Sequence, residues 1–270
     1  MRFPDKHHSL LAGDVQEGRV DLIIGPAGTV ERRLCSHNLS LSRPLYPEGD
    51  LPHIFLINTS GGLVQGDRLN VGIKVKDDGR AHLTTQSANR IYRMEAGCAV
   101  QQTELAVGER AFLEYLPEPN IPYKGSRLVQ LTKIDLRLSS TFFGQDIMLP
   151  GRYASGEEFE CDLYHSGTEI LIDGKTALID TIILEPGLRT AEKPGIMGCH
   201  RFMANLYVYM QDYSVLSDML GDTPHCITPK GVLLVRMIDE DWLTLKDKIE
   251  RVWGCFRIAS GMPEPSYRKG

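Results

Sequence analysis

The chain has 270 residues, 42% of them hydrophobic and 24% charged, with a formal net charge of −5. That balance supports a sizeable globular core, and an acidic chain with only short basic runs argues against nucleic acid as the main partner. No apolar run approaches the ~20 residues of a membrane span, and the polar start Met1-Arg-Phe-Pro-Asp-Lys-His-His8 has no signal-peptide character. The expectation is a cytoplasmic protein without a membrane role.

Taken in order, the chain alternates apolar and polar residues at Val20, Leu22 and Ile24, then at Leu69, Val71, Ile73 and Val75. The same period recurs at Ile134, Leu136 and Leu138, and at Phe202, Ala204, Leu206 and Val208. A period of two predicts strands with one face on a core and one in water. Turn signals separate them at Asp77-Asp-Gly79, Val107-Gly-Glu109, Asp173-Gly-Lys175 and Glu185-Pro-Gly187. These features predict a mainly β fold, with many short strands in a sandwich- or helix-like stack. No fixed-length repeat is visible, which argues against a regular propeller. Residues 187–200 form the best interior loop, and no composition shift divides the chain, so residues 1–270 are expected to form one unit.

Helix is predicted in two places. A short one runs from Tyr213 to Leu220 and ends at Gly221. A late amphipathic one carries Trp242, Leu245, Ile249, Val252, Trp253 and Phe256 on a stripe, with Lys246, Asp247, Lys248, Glu250 and Arg251 opposite. Such a stripe is more often core than a face for a partner.

Few residues suggest chemistry. Gly61-Gly-Leu-Val-Gln-Gly-Asp67 has the look of a phosphate loop, but Asp67 and Arg68 stand where Lys and Ser/Thr belong. A turn with glycines at positive φ is the plainer reading. Thr84-Thr85-Gln86 closes a strand and suits cross-strand threonine pairing. Glu114, Glu118, Asp146, Glu157 and Glu158 read either as solvated strand-edge acids or as a source of an acid/base pair, Asp146 with Glu157. No nucleophile elbow or metal-binding His helix accompanies them. The six cysteines, Cys35, Cys98, Cys161, Cys199, Cys226 and Cys255, contain no C-x-x-C pair and read as reduced thiols. Cys35-Ser-His37, Cys199-His200 and His225-Cys226 lack the paired spacing of a structural zinc site. On a strand, moreover, neighbours such as Cys199 and His200 point to opposite faces.

Four segments fit no enzyme motif. They are Asn58-Thr-Ser-Gly-Gly-Leu-Val-Gln-Gly-Asp-Arg68, Leu83-Thr-Thr-Gln-Ser-Ala-Asn-Arg-Ile-Tyr-Arg93, Leu113-Glu-Tyr-Leu-Pro-Glu-Pro119 and Gly151-Arg-Tyr-Ala-Ser-Gly-Glu157. In this order they resemble the urease accessory protein UreD, called UreH in some bacteria, with the densest match from Asn58 to Phe159. The resemblance implies a non-catalytic chaperone that bridges the urease apoprotein to a UreF-like protein and a UreG-like GTPase. It implies that Ni2+ passes through in transit, along an internal channel, with no tightly bound cofactor. Thr84, Thr85, Asp146 and Glu157 would line the nickel path. Gly61, Gly62, Gly66, Asp67, Gln86, Arg90, Tyr92, Gly151, Arg152 and Gly156 would form the scaffold motif. The family usually has Glu at the position of Asp146, so the charge is kept and the reach shortened. The segment from Gly195 to His200 and the late helix are candidate docking elements. The alternatives are a β-rich hydrolase using Asp146 and Glu157, or a structural scaffold that never touches metal.

Overall fold

The structure, a computed structural model, describes residues 16–188, 191, 193 and 196–265. Four strands come first: β1 (Gln16–Ile24), β2 (Val30–Ser36), β3 (Leu39–Leu41) and β4 (Leu45–Glu48). The chain then winds, passing back and forth between two sheets. It runs through β5 (Leu51–Asn58) and β6 (Asp67–Val75), then β7 (Arg80–Thr85), the short β8 (Asn89–Ile91) and β9 (Ala99–Val107). The next turns are β10 (Phe112–Leu116), β11 (Asn120–Pro122) and β12 (Arg127–Leu136), followed by β13 (Thr141–Met148) and β14 (Leu163–Ile172). The remaining elements are β15 (Lys175–Leu184), β16 (Phe202–Tyr209), α1 (Ser214–Leu220), β17 (His225–Ile227), β18 (Leu233–Asp239) and α2 (Trp242–Ala259). At 51% strand and 11% helix the fold is β-dominated, as the alternation predicts, and the late helix is present.

The sheet order β15-β14-β12-β9-β6-β1-β2 faces a second order, β17-β18-β16-β13-β10-β7-β5-β3. Strands β6, β9, β12 and β14 pair in parallel, as do β5, β7, β10 and β13. Each coil therefore gives one strand to each sheet, and His53, His82, Glu114 and Phe143 fall on one rung. The rung positions step by about 30 residues, within the range of solenoid repeats. Antiparallel partners close both stacks, which leaves fewer open parallel edges.

One core lies between the sheets, built from residues such as Leu22, Val71, Leu105 and Phe142. A second lies under the helices, where Phe143, Leu206, Val235, Leu245, Ile249 and Phe256 meet. The stripe on α2 is thus core. A core on each face of the second sheet alters the expected strand pattern. β16 is buried along its whole length, with Phe202, Ala204, Leu206 and Val208 in the second core and Met203, Tyr207 and Tyr209 in the first. A strand sandwiched between a sheet and helices has no wet face. Leu138 also departs from expectation: β12 ends at Leu136, and Leu138 lies in the following turn, 59% exposed.

Candidate functional site

The four segments occupy equivalent places in successive coils, at the corners that lead from the second sheet to the first. Leu63 bridges in parallel to Ile91, β8 pairs with β11, and Asn120 pairs with Met148. The corners are therefore hydrogen-bonded to one another as a short third side. Gly61, Gly62 and Gly66 all have positive φ, as the turn reading predicts. At Gly62 a Cβ would lie 2.5 Å from the Arg90 carbonyl and 2.6 Å from the Tyr92 ring, so only glycine lets the first two corners touch. The Tyr92 ring meets Tyr123 edge-on at 5.3 Å, and the Arg152 guanidinium covers Tyr123 at 4.7 Å. Asp67 is buried and accepts from the Val64 amide at 2.9 Å, pinning the first corner. The 3-10 turn Tyr153–Ser155 ends at Gly156, which is left-handed, and a Cβ on Gly151 would meet the Glu157 carbonyl at 2.8 Å.

Beside these corners a cavity of about 70 Å3 enters the space between the sheets. Its lining includes the exposed Gly61, Gln86 and Ser87 and passes Thr85 to reach the buried Asn120, Gln130 and Asp146. The inward rungs of the first sheet set this polarity. Leu69 stands beside Gln101, Gln130 and Ser166, and Val71 beside Thr103, Thr132 and Thr168. On these two rungs the first coil is apolar and the later ones polar, while the next rung, Ile73, Leu105, Ile134 and Ile170, is apolar throughout. A cavity of this size holds several waters.

Asp146 sits at the inner end on β13. Ser166 Oγ donates to it at 2.6 Å and Gln130 Nε2 at 3.2 Å. Gln130 accepts in turn from Asn120 at 3.1 Å, and Asn120 from Asn89 at 3.0 Å. Burial pushes the Asp146 carboxyl above the usual carboxylate range, against the pull of Ser166 and Gln130. Its hydrogen-bond partners are neutral. The nearby cation Arg236 is turned to Asp180 and Asn205. A carboxylate buried among neutral donors is destabilising unless a cation comes to it.

The structure places the four residues expected on a nickel path in three settings. Thr85 and Asp146 line the cavity between the sheets. Thr84 faces the other side of the sheet, donates to the Leu116 carbonyl at 2.7 Å, and lines a cavity of about 590 Å3 under α2. Glu157 accepts from Arg152 Nε at 3.0 Å and from the Lys124 amide at 2.8 Å, which braces the fourth corner to the third. Asp146 and Glu157 share no hydrogen-bond partner and line no common cavity among the described residues. The reading as solvated strand-edge groups is corrected for Glu114, Asp146 and Glu157, which are all buried, while Glu118 and Glu158 are half-buried.

Sequence reasoning missed Gln130, Asn120 and Ser166. The available signal was Gln130 itself, a polar residue on the inward face of β12 shared with Leu128 and Ile134. It also missed the anchor of α2. Arg257, wholly buried, donates to Glu114 at 2.8 Å and to Glu48 at 2.9 Å, and His82 meets Glu114 at 2.7 Å. Burial would raise the Glu114 carboxyl, but Arg257 and His82 bring it down to about 2.

A family profile described as "UreD urease accessory protein" matches residues 16–269. A protein of Cenarchaeum symbiosum named Urease accessory protein UreD is 31% identical over 188 residues, 68% of this chain and 66% of that protein. One of Brucella ovis named Urease accessory protein UreD 2 is 36% identical over 159 residues, covering 58% of this chain and 53% of the relative. A Streptomyces griseus protein of the latter name is 30% identical over 280 residues, covering 96% and 92%. The aligned part thus spans about half of the Brucella relative and just under two thirds of the Cenarchaeum one. With the profile running through all four stacked corners and on through α2, the chain belongs to the UreD urease accessory protein family.

Proposed function

We propose that this protein is a non-catalytic factor in urease maturation that carries Ni2+ toward the urease apoprotein while bridging it to a UreF-like protein and, through the complex, to a UreG-like GTPase. The carrying observation is Asp146, a buried carboxylate held by neutral donors at the inner end of a partly polar cavity that begins among exposed corner residues. A conduit needs weak stations. One carboxylate followed by hydroxyl and amide oxygens solvates a divalent ion without the grip of a Cys/His cage. Thr85 and Asp146 are the stations of this passage. Thr84 and Glu157 shape it from outside, Thr84 through the sheet and Glu157 by bracing a corner.

The test is in vitro activation of urease apoprotein by the assembled complex. Asp146→Ala should preserve complex assembly and lower nickel loading of urease. Full activation by this variant, at normal partner binding, would reject the conduit and leave the scaffold role. Turnover of a glycoside or ester by the purified chain would favour the hydrolase instead.

A further inference from the structure

The antiparallel pairing of β16 and β18 brings together three potential ligands that no strand pattern joins. Phe202 stands opposite Asp239, and the Arg201 amide donates to the Asp239 carbonyl at 2.9 Å. Cys199 and His200, just ahead of β16, are thereby held beside Glu240, between β18 and α2. The three offer one ligand atom each, all within 4.8 Å of one another. Cys199 and His200 are not held to opposite faces as strand neighbours would be, because Cys199 lies in a turn and not on a strand.

The neighbouring acids are already engaged. Asp239 pairs with Lys248, Asp241 caps α2 through the Thr244 amide, and Glu158 pairs with Arg201. Glu240 instead lies beside the Cys199 thiol, their ligand atoms within 4.8 Å of each other, and His200 Nδ1 is buried with no hydrogen-bond partner among the described residues. A buried ring nitrogen without a partner is an unmet demand that a ligand can satisfy.

We propose that Cys199, His200 and Glu240 form an exchangeable surface site for a borderline divalent cation such as Ni2+ or Zn2+. The mixed sulfur, nitrogen and oxygen set selects against Mg2+ and Ca2+, which take oxygen. Around one ion, ligands at about 2.0–2.3 Å from the metal must sit closer together than they do now. Cys199 and Glu240 are exposed and free to swing inward. On binding, the thiol S–H bond breaks, its proton goes to solvent, and the sulfur lone pair forms the metal bond. Three protein ligands leave the remaining positions to water, so the ion can leave again. None of the three lines the interior cavity, and the site stands independently of the passage proposed above.

Titration of the purified full chain with Co2+ near neutral pH reads this site directly, through the thiolate-to-cobalt charge-transfer band. One equivalent of band-forming metal with proton release is expected. Cys199→Ser should abolish the band at an unchanged melting temperature, while His200→Ala and Glu240→Gln should each weaken binding roughly tenfold or more. Cys226→Ser, which removes the other exposed thiol, should leave the titration intact. No band in the parent chain, or a band that survives Cys199→Ser, would overturn the proposal. So would unchanged affinity in both His200→Ala and Glu240→Gln, which would reduce the site to a lone thiol. The readout is metal binding without urease, so its failure leaves the interior passage standing.

Discussion

Asp146 makes opposite demands on stability and on the proposed passage, and one substitution separates them. Its folded pKa lies above the ordinary value because burial disfavours the charge. The stability it contributes is therefore present at acid pH and is lost as pH rises through the raised value. Asp146→Asn keeps the shape, removes the buried charge and can still bond Gln130 and Ser166. Its melting temperature should exceed that of the parent by a few degrees where the parent's carboxyl is charged, with the gap closing as pH falls toward about 4. Calorimetry from acid to alkaline pH checks this, and an Asn variant that gains nothing over the parent as pH rises would contradict it. A second residue sets acid sensitivity. Burial, aided by His82, lowers the His53 pKa from 6.5 to about 4. A depressed base contributes stability above 6.5 that is lost as pH falls through about 4. The unfolding midpoint should drop over that window, and more shallowly in His53→Gln. Parallel curves for the two proteins would rule out His53 as the cause.

At the scale of elements, the corners carry the order of the coils. Gly62 has φ +159° and faces the Arg90 carbonyl and the Tyr92 ring at distances that exclude a side chain. Gly62→Ala should destabilise the chain by about 2–4 kcal/mol, against within ±0.5 kcal/mol for an ordinary surface change. Urea denaturation measures the loss, and a cost under about 0.5 kcal/mol would mean the corners have slack. Gly61, with open space around its Cβ position, is the natural control. It has positive φ but no neighbour to strike, so Gly61→Ala should cost less than Gly62→Ala.

For the whole molecule, the prediction concerns assembly. A bridge needs docking surface on its outside, and this chain exposes Ile179 and Ile183 on β15 and Leu188 beyond it. Of the docking elements expected from sequence, α2 spends its apolar stripe on the second core, and Gly195 lies outside the described residues. Co-purification with a UreF-like protein should succeed without nucleotide, and Asp146→Asn should not weaken it, since that residue is interior. Absence of a complex at micromolar concentrations would count against the bridging role.

The sequence by itself determined the β character, the turns, the late helix and the four segments that define the family, because these are properties of neighbours along the chain. Period-two alternation says which side chains share a face, and glycine marks where the backbone must turn. It does not say which strands lie side by side. The coil step was hidden because corners of unequal length interrupt it, so no fixed repeat appears between β5 and β14. Only the tertiary structure stacked the four segments into one edge, placed Asp146 at a cavity, and set Glu157 against the Lys124 amide. Only it gave Glu114 its partner Arg257, far along the chain, and set Glu240 beside Cys199 and His200. The physical reason is common to all of these. A buried charge or a ligand cluster is completed by groups remote in sequence, and strand pairing alone decides which of them meet.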